Sequence, residues 1–422
     1  MRAVEPGRCL GRHLLKAGTR LVLRRDDGTD VEHAGPVFLV AAGKAAGAMA
    51  ARAVAVVGPA LSGGLVVVPH GAPGGSLPPG VSTMRAAHPV PDQDGLEATR
   101  RLLDAVQHVS DDTLVLVALS GGASALLVAP AGGLELADKR AVTRELLAAG
   151  ADIAELNAVR KHCSRIKGGG LLRAGAHASA VWTMLLSDVM GDDPTTIASG
   201  PTVPDPTTFA DALDVLRRYS LVAAVPRVTV HLERGARGEH AETLDAASPL
   251  VARSQTVVVG SNGTAVRAAA EHARARGYHV TVEDVPIAGD AATAGRALAA
   301  RLLRGPAPHA IIAGGEPTVE VVAGGRGGRA QQLALAAAEA LAGRPCVMLA
   351  AGTDGVDGPT DAAGACVDGG TLAQAQAHGL DVTAALAATD AHPVLDRTDA
   401  LVRTGPTGTN VADLVVALRG AC

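Results

Sequence analysis

Lysine and asparagine are rare in this chain, and most of them lie beside glycine-rich or aspartate-rich loops. The 422 residues contain 38 Lys and Arg together, yet only five are Lys and only three residues are Asn. A compact ammonium group or an amide that both donates and accepts hydrogen bonds is useful in a loop that binds an anion. These loops are therefore where binding chemistry is expected first.

Lys44 follows the aliphatic run VFLVAA and precedes an alanine-rich segment. This order predicts that Lys44 lies just past the carboxyl end of a strand, at the first turn of a helix. In open α/β sheets ligands bind at the carboxyl ends of strands, and the amide groups of a helix N-terminus favour anions. Lys44 is thus a candidate to bind a phosphate or a carboxylate; a solvated lysine at a helix start is the alternative.

A second turn of this kind follows the run LVLVAL. Its sequence, Ser120-Gly121-Gly122-Ala123-Ser124, combines paired glycines with two hydroxyls, a composition that suits a loop around a phosphate. The spacing differs from the Walker motif, so a lysine would have to come from elsewhere in the chain. Ser120, Gly121, Gly122 and Ser124 are candidate binding residues, and a tight structural turn is the alternative.

The segment LNAVRKHCSRIK is predicted to form a helix that ends at Gly168-Gly169-Gly170. Helical spacing would place Asn157, Lys161 and Ser164 on one face, with Lys167 close to it. We predict that Asn157, Lys161 and Lys167 bind an anion. A solvated polar face is the alternative interpretation.

Carboxylates gather in two loops. Asp188, Asp192 and Asp193 follow one predicted strand, and Asp354 and Asp357 follow another. Hard oxygen ligands of this kind suit Mg²⁺, which binds through one or two carboxylates together with substrate phosphates. The predicted metal ligands are Asp188, Asp193, Asp354 and Asp357, in two clusters that would face each other across an interdomain cleft. A turn or helix cap is the alternative for Asp192 or Asp193.

The second half of the chain contributes further candidates. Glu316 lies in the loop GGEPT ahead of a predicted strand VEVV, and Arg329 is predicted to begin a helix. The segment from Gly325 to Ala330 formally fits the dinucleotide fingerprint G-x-G-x-x-A, although its arginines suit a charged phosphate or carboxylate better. A last loop precedes a predicted helix VADLVVAL and offers Thr407, Gly408, Thr409 and Asn410 as binding residues. A helix N-cap is the alternative for these.

Short aliphatic runs followed by glycine-rich loops and Ala/Leu-periodic segments position these residues. The runs are VFLVAA, LVVV, LVLVAL, WTMLL, TVVVG, AIIAGG and CVMLAAG. Their alternation with helical patterns predicts an α/β fold with mainly parallel sheets. The pattern lapses between about residues 219 and 255, so we predict two domains, 1–240 and 241–422.

Composition excludes several classes of protein. A net charge of −4 and 1% aromatic residues argue against a nucleic-acid partner. The five dispersed cysteines and the charged N-terminus predict a cytoplasmic protein without a signal peptide. The uncharged stretch 113–134 is interrupted by glycines and Pro130, which predicts strand, loop and helix instead of a membrane span. A homodimer is compatible with the sequence, which does not decide the oligomeric state.

These segments together resemble the glycerate 2-kinase family, whose members carry a MOFRL domain and are often labelled hydroxypyruvate reductase. The resemblance runs through nearly the whole chain, in the motifs AAGKAAG, HPVPDQDG, SGGASAL, LNAVRKHCSRIKGGGL, SDVMGDDPTTIASGPTVPDPTT, GGEPTV, GGRAQQ, GTDGVDGPTDAAGA and TGPTGTN. It implies a Rossmann-like kinase domain (1–240) and a MOFRL-type α/β domain (241–422) flanking a deep cleft. The implied reaction is ATP- and Mg²⁺-dependent phosphorylation of the 2-hydroxyl of D-glycerate.

The resemblance also implies roles for two residues. The family's active-site lysine falls on Lys44, and its cleft arginine falls on Arg329. The family usually reads GGRNQE where this chain has GGRAQQ, so an amide is lost at Ala330 and a carboxylate at Gln332. The chain also begins later than is usual for the family.

The residues fit a kinase independently, because phosphoryl transfer needs positioned phosphates, Mg²⁺ and cations on the transferred group. An NAD(P)H-dependent hydroxypyruvate reductase is the alternative enzyme, with His88 or His162 as its acid. A third possibility is a non-catalytic anion-binding protein, suggested by Ala330 and Gln332.

Overall fold

The chain forms two compact units in a computed structural model that describes residues 2–72, 76–322 and 324–420. The first unit is Pro6–Val259. The second unit combines Met1–Glu5 with Gly260–Cys422. Among the described residues, no helix is both long and apolar enough to cross a membrane.

The first unit contains nine strands and nine α-helices among its described residues. The strands are β1 Leu14–Ala17, β2 Arg20–Arg24, β3 Asp30–His33, β4 Val37–Ala42, β5 Leu61–Pro69, β6 Val81–Ala86, β7 Leu114–Ser120, β8 Ala180–Leu186 and β9 Ser254–Gly260. The helices are α1 Pro6–His13, α2 Ala46–Val57, α3 Gln93–Gln107, α4 Ala123–Leu126, α5 Leu136–Ala148, α6 Ile153–His162, α7 Gly170–Ala174, α8 Phe209–Arg218 and α9 Pro226–Ala236. Short 3₁₀ turns lie at Gly58–Ala60, Ile197–Ser199 and Val251–Arg253.

The main sheet of the first unit has the strand order β6-β5-β4-β7-β8-β9, and the pairs from β6 to β8 are all parallel. Counted from β4, this is the Rossmann order 3-2-1-4-5-6, in which the order reverses between the first and fourth strands. Every residue of β7 is buried, as expected for a central parallel strand covered on both faces. Ligands in such folds bind at the reversal point, which here lies between the carboxyl ends of β4 and β7.

Local sequence signals place several of these helices. Asp92 caps α3 by accepting from the Gly95 amide, and Asp152 caps α6 in a reciprocal capping box with Glu155.

The small antiparallel sheet β1-β2-β3 precedes the main sheet. The sequence analysis did not predict this sheet, because its strands are short and rich in exposed charged residues.

The second unit contains six strands and six α-helices among its described residues. The strands are β10 His279–Val282, β11 His309–Gly315, β12 Cys346–Gly352, β13 Gly364–Asp368, β14 Leu401–Val402 and β15 Asp413–Arg419. The helices are α10 Asn262–Ala275, α11 Ala291–Arg304, α12 Arg329–Leu341, α13 Thr371–Ala377, α14 Val382–Ala387 and α15 Ala391–Arg397, and a 3₁₀ turn lies at Arg2–Val4. Helix α12 is buried on nearly all sides in the core of this unit.

The α/β class and all seven predicted aliphatic strands are confirmed, but the second sheet differs from the mainly parallel sheet expected. Its order is β10-β11-β15-β12-β13-β14, and among these pairs only β10 with β11 is parallel. The difference arises from β15, which was predicted to be a helix. Its residues alternate between buried and less buried positions, and it pairs antiparallel with β11 and β12. The predicted strand VEVV is also wrong, because residues 319–322 lack regular secondary structure.

The division between the units lies at Val259 and Gly260 and not near residue 240. Leu244 shows why, since its amide donates to the Gly168 carbonyl at 3.0 Å and its own carbonyl accepts from the Asp205 amide at 2.9 Å. The following strand β9 lies at the edge of the first sheet. The irregular, polar segment that marked the predicted boundary is therefore a packed part of the first unit.

Candidate active site

Lys44 lies at the carboxyl end of β4, and its backbone is bonded to the turn that follows β7. Its amide donates to the Gly121 carbonyl at 2.9 Å, and the amide of Ala45 donates to Ser120 Oγ at 3.0 Å. Ser120 is itself buried. The Lys44 side chain is exposed, and its ammonium group donates no hydrogen bond to any other described residue. The backbone of the site is therefore fixed while the charge of Lys44 is available to a ligand.

Helix α2 begins at Ala46, two residues after Lys44, and its N-terminus is open. No side chain caps it, and Gly47 and Ala48 in its first turn are exposed. The first amide groups of a helix have no partner within the helix, and the helix dipole is positive at this end. Together with Lys44, this N-terminus is suited to bind an anion such as a phosphate.

Asp188 follows β8 and brings a carboxylate to the same end of the sheet. Its Oδ2 lies so close to the Cα of Gly121 that a Cβ at position 121 would overlap it. Glycine is therefore required at position 121 for this approach. The structure thus brings Lys44, Gly121 and Asp188, which the sequence analysis singled out in three separate motifs, to one end of one sheet.

Asp193 has a different environment from Asp188. Its carboxylate accepts hydrogen bonds from the Thr195 amide at 2.9 Å, the Thr195 hydroxyl at 2.6 Å and the Thr196 hydroxyl at 2.8 Å. Partial burial acts to raise the pKa of Asp193, but the bonds from Thr195 and Thr196 outweigh it and lower the pKa. This is the aspartate turn that the sequence left open as an alternative, and it occupies the oxygens that were predicted to bind a metal.

Three of the predicted binding residues meet in one chain of hydrogen bonds inside the first unit. Lys167 Nζ donates to the carbonyl and to Oγ of Ser124, both at 2.7 Å. Ser199 Oγ lies 2.9 Å from Ser124 Oγ and donates to Asn157 Oδ1 at 3.0 Å. Asn157 and Lys167 are buried. They therefore act on a ligand only through Ser124, whose partly exposed side chain belongs to the glycine turn.

Burial dominates the electrostatics of this chain of hydrogen bonds. It lowers the pKa of Lys167 well below its ordinary value, and the charges of Lys139 and Arg160 add to the effect. The alternative interpretation of this region, a solvated polar helix face, is wrong for Asn157, Lys161 and Lys167, because all three are buried.

The helix that contains Asn157 and Lys161 is also shorter than predicted. It ends at His162, and Lys139 explains the ending, since its Nζ donates to the carbonyls of Arg160 at 3.2 Å and Cys163 at 2.9 Å. Ser164 and Lys167 therefore lie beyond the helix. Lys161 pairs with Asp205, with 3.1 Å between Nζ and Oδ1 and side-chain exposures of 6% and 0%. This buried pair neutralises the charge that was expected to bind an anion.

Arg329 begins α12, as predicted, and two carboxylates hold its guanidinium group. Its Nε donates to Asp413 Oδ2 at 2.6 Å and its Nη2 to Asp413 Oδ1 at 3.2 Å. Its Nη1 donates to Glu316 Oε1 at 2.8 Å. Burial alone would lower the pKa of Arg329. The carboxylates of Asp413 and Glu316 outweigh this effect and raise the pKa above its ordinary value. A guanidinium carries five N–H donors, so this arrangement fixes its plane and leaves donors for a ligand.

Asp413 was missed because it was assigned to a helix. As the first residue of β15 it pairs with Gly315 of β11 and with Gly352 of β12, so it lies where both of those strands end. Burial raises the pKa of Asp413 to about 6, with Asp357 and Glu316 acting in the same direction and Arg329 against it. The short apolar run LVVAL, bounded by charged residues, is a signal that is compatible with a buried strand as well as with a helix.

Asp357 caps the N-terminus of α12. Its carboxylate accepts from the amides of Ala330 at 3.0 Å and Gln331 at 2.8 Å, and from the Gln331 side chain at 3.0 Å. Burial raises its pKa despite these bonds. Because these partners occupy Asp357, it is not arranged as a metal ligand, in contrast to the expectation. Asp354, the other predicted ligand in this loop, is only partly buried and accepts from the Val356 amide at 3.1 Å.

The two departures from the family motif lie inside the second unit. Ala330 is buried. Gln332 is also buried, and its Nε2 donates to the Leu386 carbonyl at 2.7 Å. Neither side chain offers its surface to solvent, so the absence of a carboxylate at 332 removes no exposed charge from this unit.

The loop that contains Thr407, Gly408, Thr409 and Asn410 does not cap a helix, because β15 follows it. Thr407 Oγ1 donates to the Thr353 carbonyl at 2.6 Å, and Thr409 Oγ1 donates to the Val4 carbonyl at 2.8 Å. Asn410 Oδ1 accepts from the Ala412 amide at 3.1 Å. These contacts hold the loop against the end of β12, while Gly408 is exposed.

Within the described ranges, one group of three side chains has the spacing of metal ligands: His70, Asp92 and Asp94. The predicted metal ligands do not form such a group. Mg²⁺ commonly binds through one or two carboxylates and completes its shell with waters and substrate phosphates. Asp188, beside the glycine turn and the open N-terminus of α2, fits that pattern.

Comparison with known proteins identifies both halves of the chain. Residues 1–233 match the family described as a domain of unknown function (DUF4147), and residues 309–413 match the MOFRL family. The glycerate 2-kinase of Pyrococcus horikoshii is 34% identical, in an alignment that covers 99% of this chain and 94% of that protein. A putative hydroxypyruvate reductase of Agrobacterium vitis is 40% identical over 92% of this chain and 88% of that protein.

A solved structure agrees with these sequence matches. The crystal structure of glycerate kinase from Thermotoga maritima superimposes with a TM-score of 0.84 at 38% identity, covering 91% of this chain and 92% of that one. The conserved order of both domains and the identity over nearly the full length lead to one conclusion. The chain belongs to the glycerate 2-kinase family, with its DUF4147 and MOFRL regions.

Proposed function

We propose that this protein is a glycerate 2-kinase, which transfers the γ-phosphoryl group of ATP to the 2-hydroxyl of D-glycerate and forms 2-phospho-D-glycerate and ADP. The observation that supports it most is the cluster at the strand reversal point of the first unit. There an exposed lysine, an uncapped helix N-terminus and a carboxylate lie at one end of a Rossmann-ordered sheet. Phosphoryl transfer depends on this kind of positioning and charge neutralisation more than on covalent chemistry.

In this proposal the first unit binds the phosphates. Lys44 and the amides of the exposed residues Gly47 and Ala48 contact phosphate oxygens, and the charge of Lys44 stabilises the negative charge on the transferred group. Gly121 and Gly122 let the ligand approach the backbone closely. Ser124 shapes the turn beside the phosphates, and Lys167 holds Ser124 in place from beneath.

Mg²⁺ belongs to the proposal, with Asp188 as its protein ligand. The close approach of Asp188 to Gly121 places hard oxygen atoms where phosphates would bind, which is the chemistry that Mg²⁺ prefers. When bound, Mg²⁺ would neutralise phosphate charge. Asp193 and Asp357 are left out, because their oxygens are engaged by Thr195, Thr196 and the start of α12. Asp354 is retained only as a candidate in the second unit.

In the second unit we assign Arg329 to an anionic group of the substrates. The fork of its guanidinium suits a carboxylate or a phosphate. Glu316 and Asp413 orient it. The loop of Thr407, Gly408, Thr409 and Asn410 is the remaining candidate for contacts with substrate, through its exposed backbone at Gly408.

We also propose a cytoplasmic location. Cys9, Cys163 and Cys346 are buried and Cys366 is exposed, and the described residues form no disulfide. This state is usual in a reducing compartment.

A coupled assay tests the proposed reaction. The purified protein should release ADP from ATP only when D-glycerate and Mg²⁺ are both present, and EDTA should stop the release. A parallel reaction with hydroxypyruvate and NADH or NADPH tests the name carried by the Agrobacterium relative. Oxidation of the nicotinamide without any ADP release from ATP and glycerate would overturn the proposal.

A further inference from the structure

His88 lies against the glycine turn of the first unit, although it comes from a distant part of the chain. It follows β6, and it is an exposed residue. A Cβ at Gly122 would lie 3.0 Å from Cδ2 and 3.3 Å from Nε2 of His88, and 3.5 Å from Cγ of Lys44. The imidazole edge and the stem of Lys44 therefore meet at the Cα of Gly122, at the place where we propose that the phosphates bind.

The ring nitrogens of His88 make no hydrogen bond to any described residue. Two buried histidines of this unit do, as His162 donates to the Ala158 carbonyl at 2.8 Å and His231 to the His162 carbonyl at 2.9 Å. A polar ring that is exposed and has no protein partner is available to a ligand. Burial lowers the pKa of His88, and the ammonium of Lys44 lowers it further. The neutral ring therefore keeps a lone pair at pH 7.

We propose that His88 is the general base of the reaction, accepting the proton of the substrate's 2-hydroxyl. This inference rests on the proposed kinase function. As the proton moves to the imidazole, the hydroxyl oxygen forms a bond to the γ-phosphorus. The bond from that phosphorus to the β,γ-bridging oxygen breaks, and its electron pair leaves with ADP. The imidazolium then releases its proton to solvent, which completes the balance of charge and atoms.

The other groups near the glycine turn are less suited to this role. Lys44 is a cation and has no lone pair while it is charged. Ser120 Oγ accepts from the Ala45 amide. Asp188, which approaches from β8 beside Gly121, is the proposed cation ligand. Asp92 lies on the same loop as His88, but its carboxylate is engaged, because it accepts hydrogen bonds from His70 at 2.8 Å and from the Gly95 amide at 2.9 Å.

The test compares His88→Gln with the wild-type protein in steady-state kinetics of 2-phosphoglycerate formation. General base catalysis contributes about 10²–10⁴-fold, so kcat should fall by that factor while the KM for ATP changes little. His108→Gln, at the exposed end of α3, is the matched control and should leave both constants unchanged. Thermal unfolding of both variants checks the fold, and His88→Asn is the second variant if His88→Gln unfolds.

The pH dependence separates a base from a residue that only supports the fold. Below the lowered pKa of His88 the ring is protonated and cannot accept a proton, so wild-type kcat/KM should decrease as the pH falls through that range. Glutamine does not titrate, so the ratio of wild-type to variant kcat/KM should shrink toward acidic pH. Titration of ATP and glycerate affects both proteins equally and cancels in this ratio.

Two outcomes would overturn the inference. One is a folded His88→Gln protein whose kcat stays within about threefold of wild type. The other is a ratio that does not change between pH 5 and 8, since a base would then have to be sought in Asp188. A wild-type protein that forms no phosphoglycerate at all would refute the proposed function itself, so the two failures are distinguishable.

Discussion

The carboxylate of Asp188 occupies the space that a side chain at Gly121 would fill. The turn after β7 and the end of β8, which are separated in sequence, therefore lie in close contact at the carboxyl end of the sheet, where we propose that the phosphates bind. The glycine turn thus accommodates a carboxylate of the protein in addition to its proposed ligand.

This relationship predicts how Mg²⁺ dependence responds to substitution. Asp188→Asn should raise the Mg²⁺ concentration for half-maximal ADP release by at least about tenfold, because a ligand charge is lost. Asp193→Asn is the matched control. Its carboxylate accepts from Thr195 and Thr196, so the variant should change stability more than Mg²⁺ dependence. Equal shifts in the two variants would contradict the assignment of Asp188.

Lys44 should matter for turnover and not for folding. Its side chain is exposed and donates no hydrogen bond to any other residue that the structure describes. Lys44→Ala should reduce kcat by about 10²–10³-fold, the scale observed when a group that stabilises transition-state charge is removed. Its unfolding temperature should match that of wild type. Lys16→Ala, which changes an exposed residue of β1, is the control, and a Lys44→Ala protein as active as this control would refute the role.

The second unit allows a matched comparison of two carboxylates. Asp413 makes two hydrogen bonds to Arg329 and has a side-chain exposure of 6%, whereas Glu316 makes one and is 50% exposed. Asp413→Asn should therefore lower kcat/KM more than Glu316→Gln, because the guanidinium plane loses its main anchor. Arg329→Lys should resemble Asp413→Asn, since a lysine cannot reproduce the fork. A larger effect of Glu316→Gln would contradict this ranking.

The buried pair of Lys161 and Asp205 predicts an effect on stability. Lys161→Met leaves the Asp205 carboxylate buried without its partner, and one of its oxygens already lacks a hydrogen bond. Removing one member of a buried pair costs about 3–5 kcal/mol. Arg217→Ala, which breaks an exposed pair with Asp214, should cost at most about 1 kcal/mol. Urea unfolding of the two variants measures the difference, and similar midpoints would contradict it.

The sequence was sufficient for the parts of the fold that are set by local pattern. The seven aliphatic runs are strands, and Arg329 begins a helix as expected, whereas Lys44 lies two residues before the start of α2. Buried parallel strands read as continuous aliphatic runs, and glycine marks the turns that follow them. These signals need no knowledge of distant contacts.

Long-range packing decided what the sequence could not show. Lys161 and Lys167 have charged side chains, yet both are buried, because Lys161 pairs with Asp205 and Lys167 donates hydrogen bonds to Ser124. The role of Asp413 was not predicted, because the sequence DLVVALR fits a helix as well as a strand until its partner strands β11 and β12 are known. Asp357 was assigned to metal binding because its role as a cap depends on a helix that begins 28 residues earlier in the chain, at Arg329.

The position of the new phosphate on the product tests the central claim most directly. Wild-type protein should be incubated with D-glycerate, ATP and Mg²⁺, and the product examined by ³¹P NMR against authentic 2-phosphoglycerate and 3-phosphoglycerate. The account predicts 2-phosphoglycerate in an amount equal to the ADP released. Formation of 3-phosphoglycerate, or consumption of NADH with hydroxypyruvate in the absence of any phosphorylated product, would contradict it.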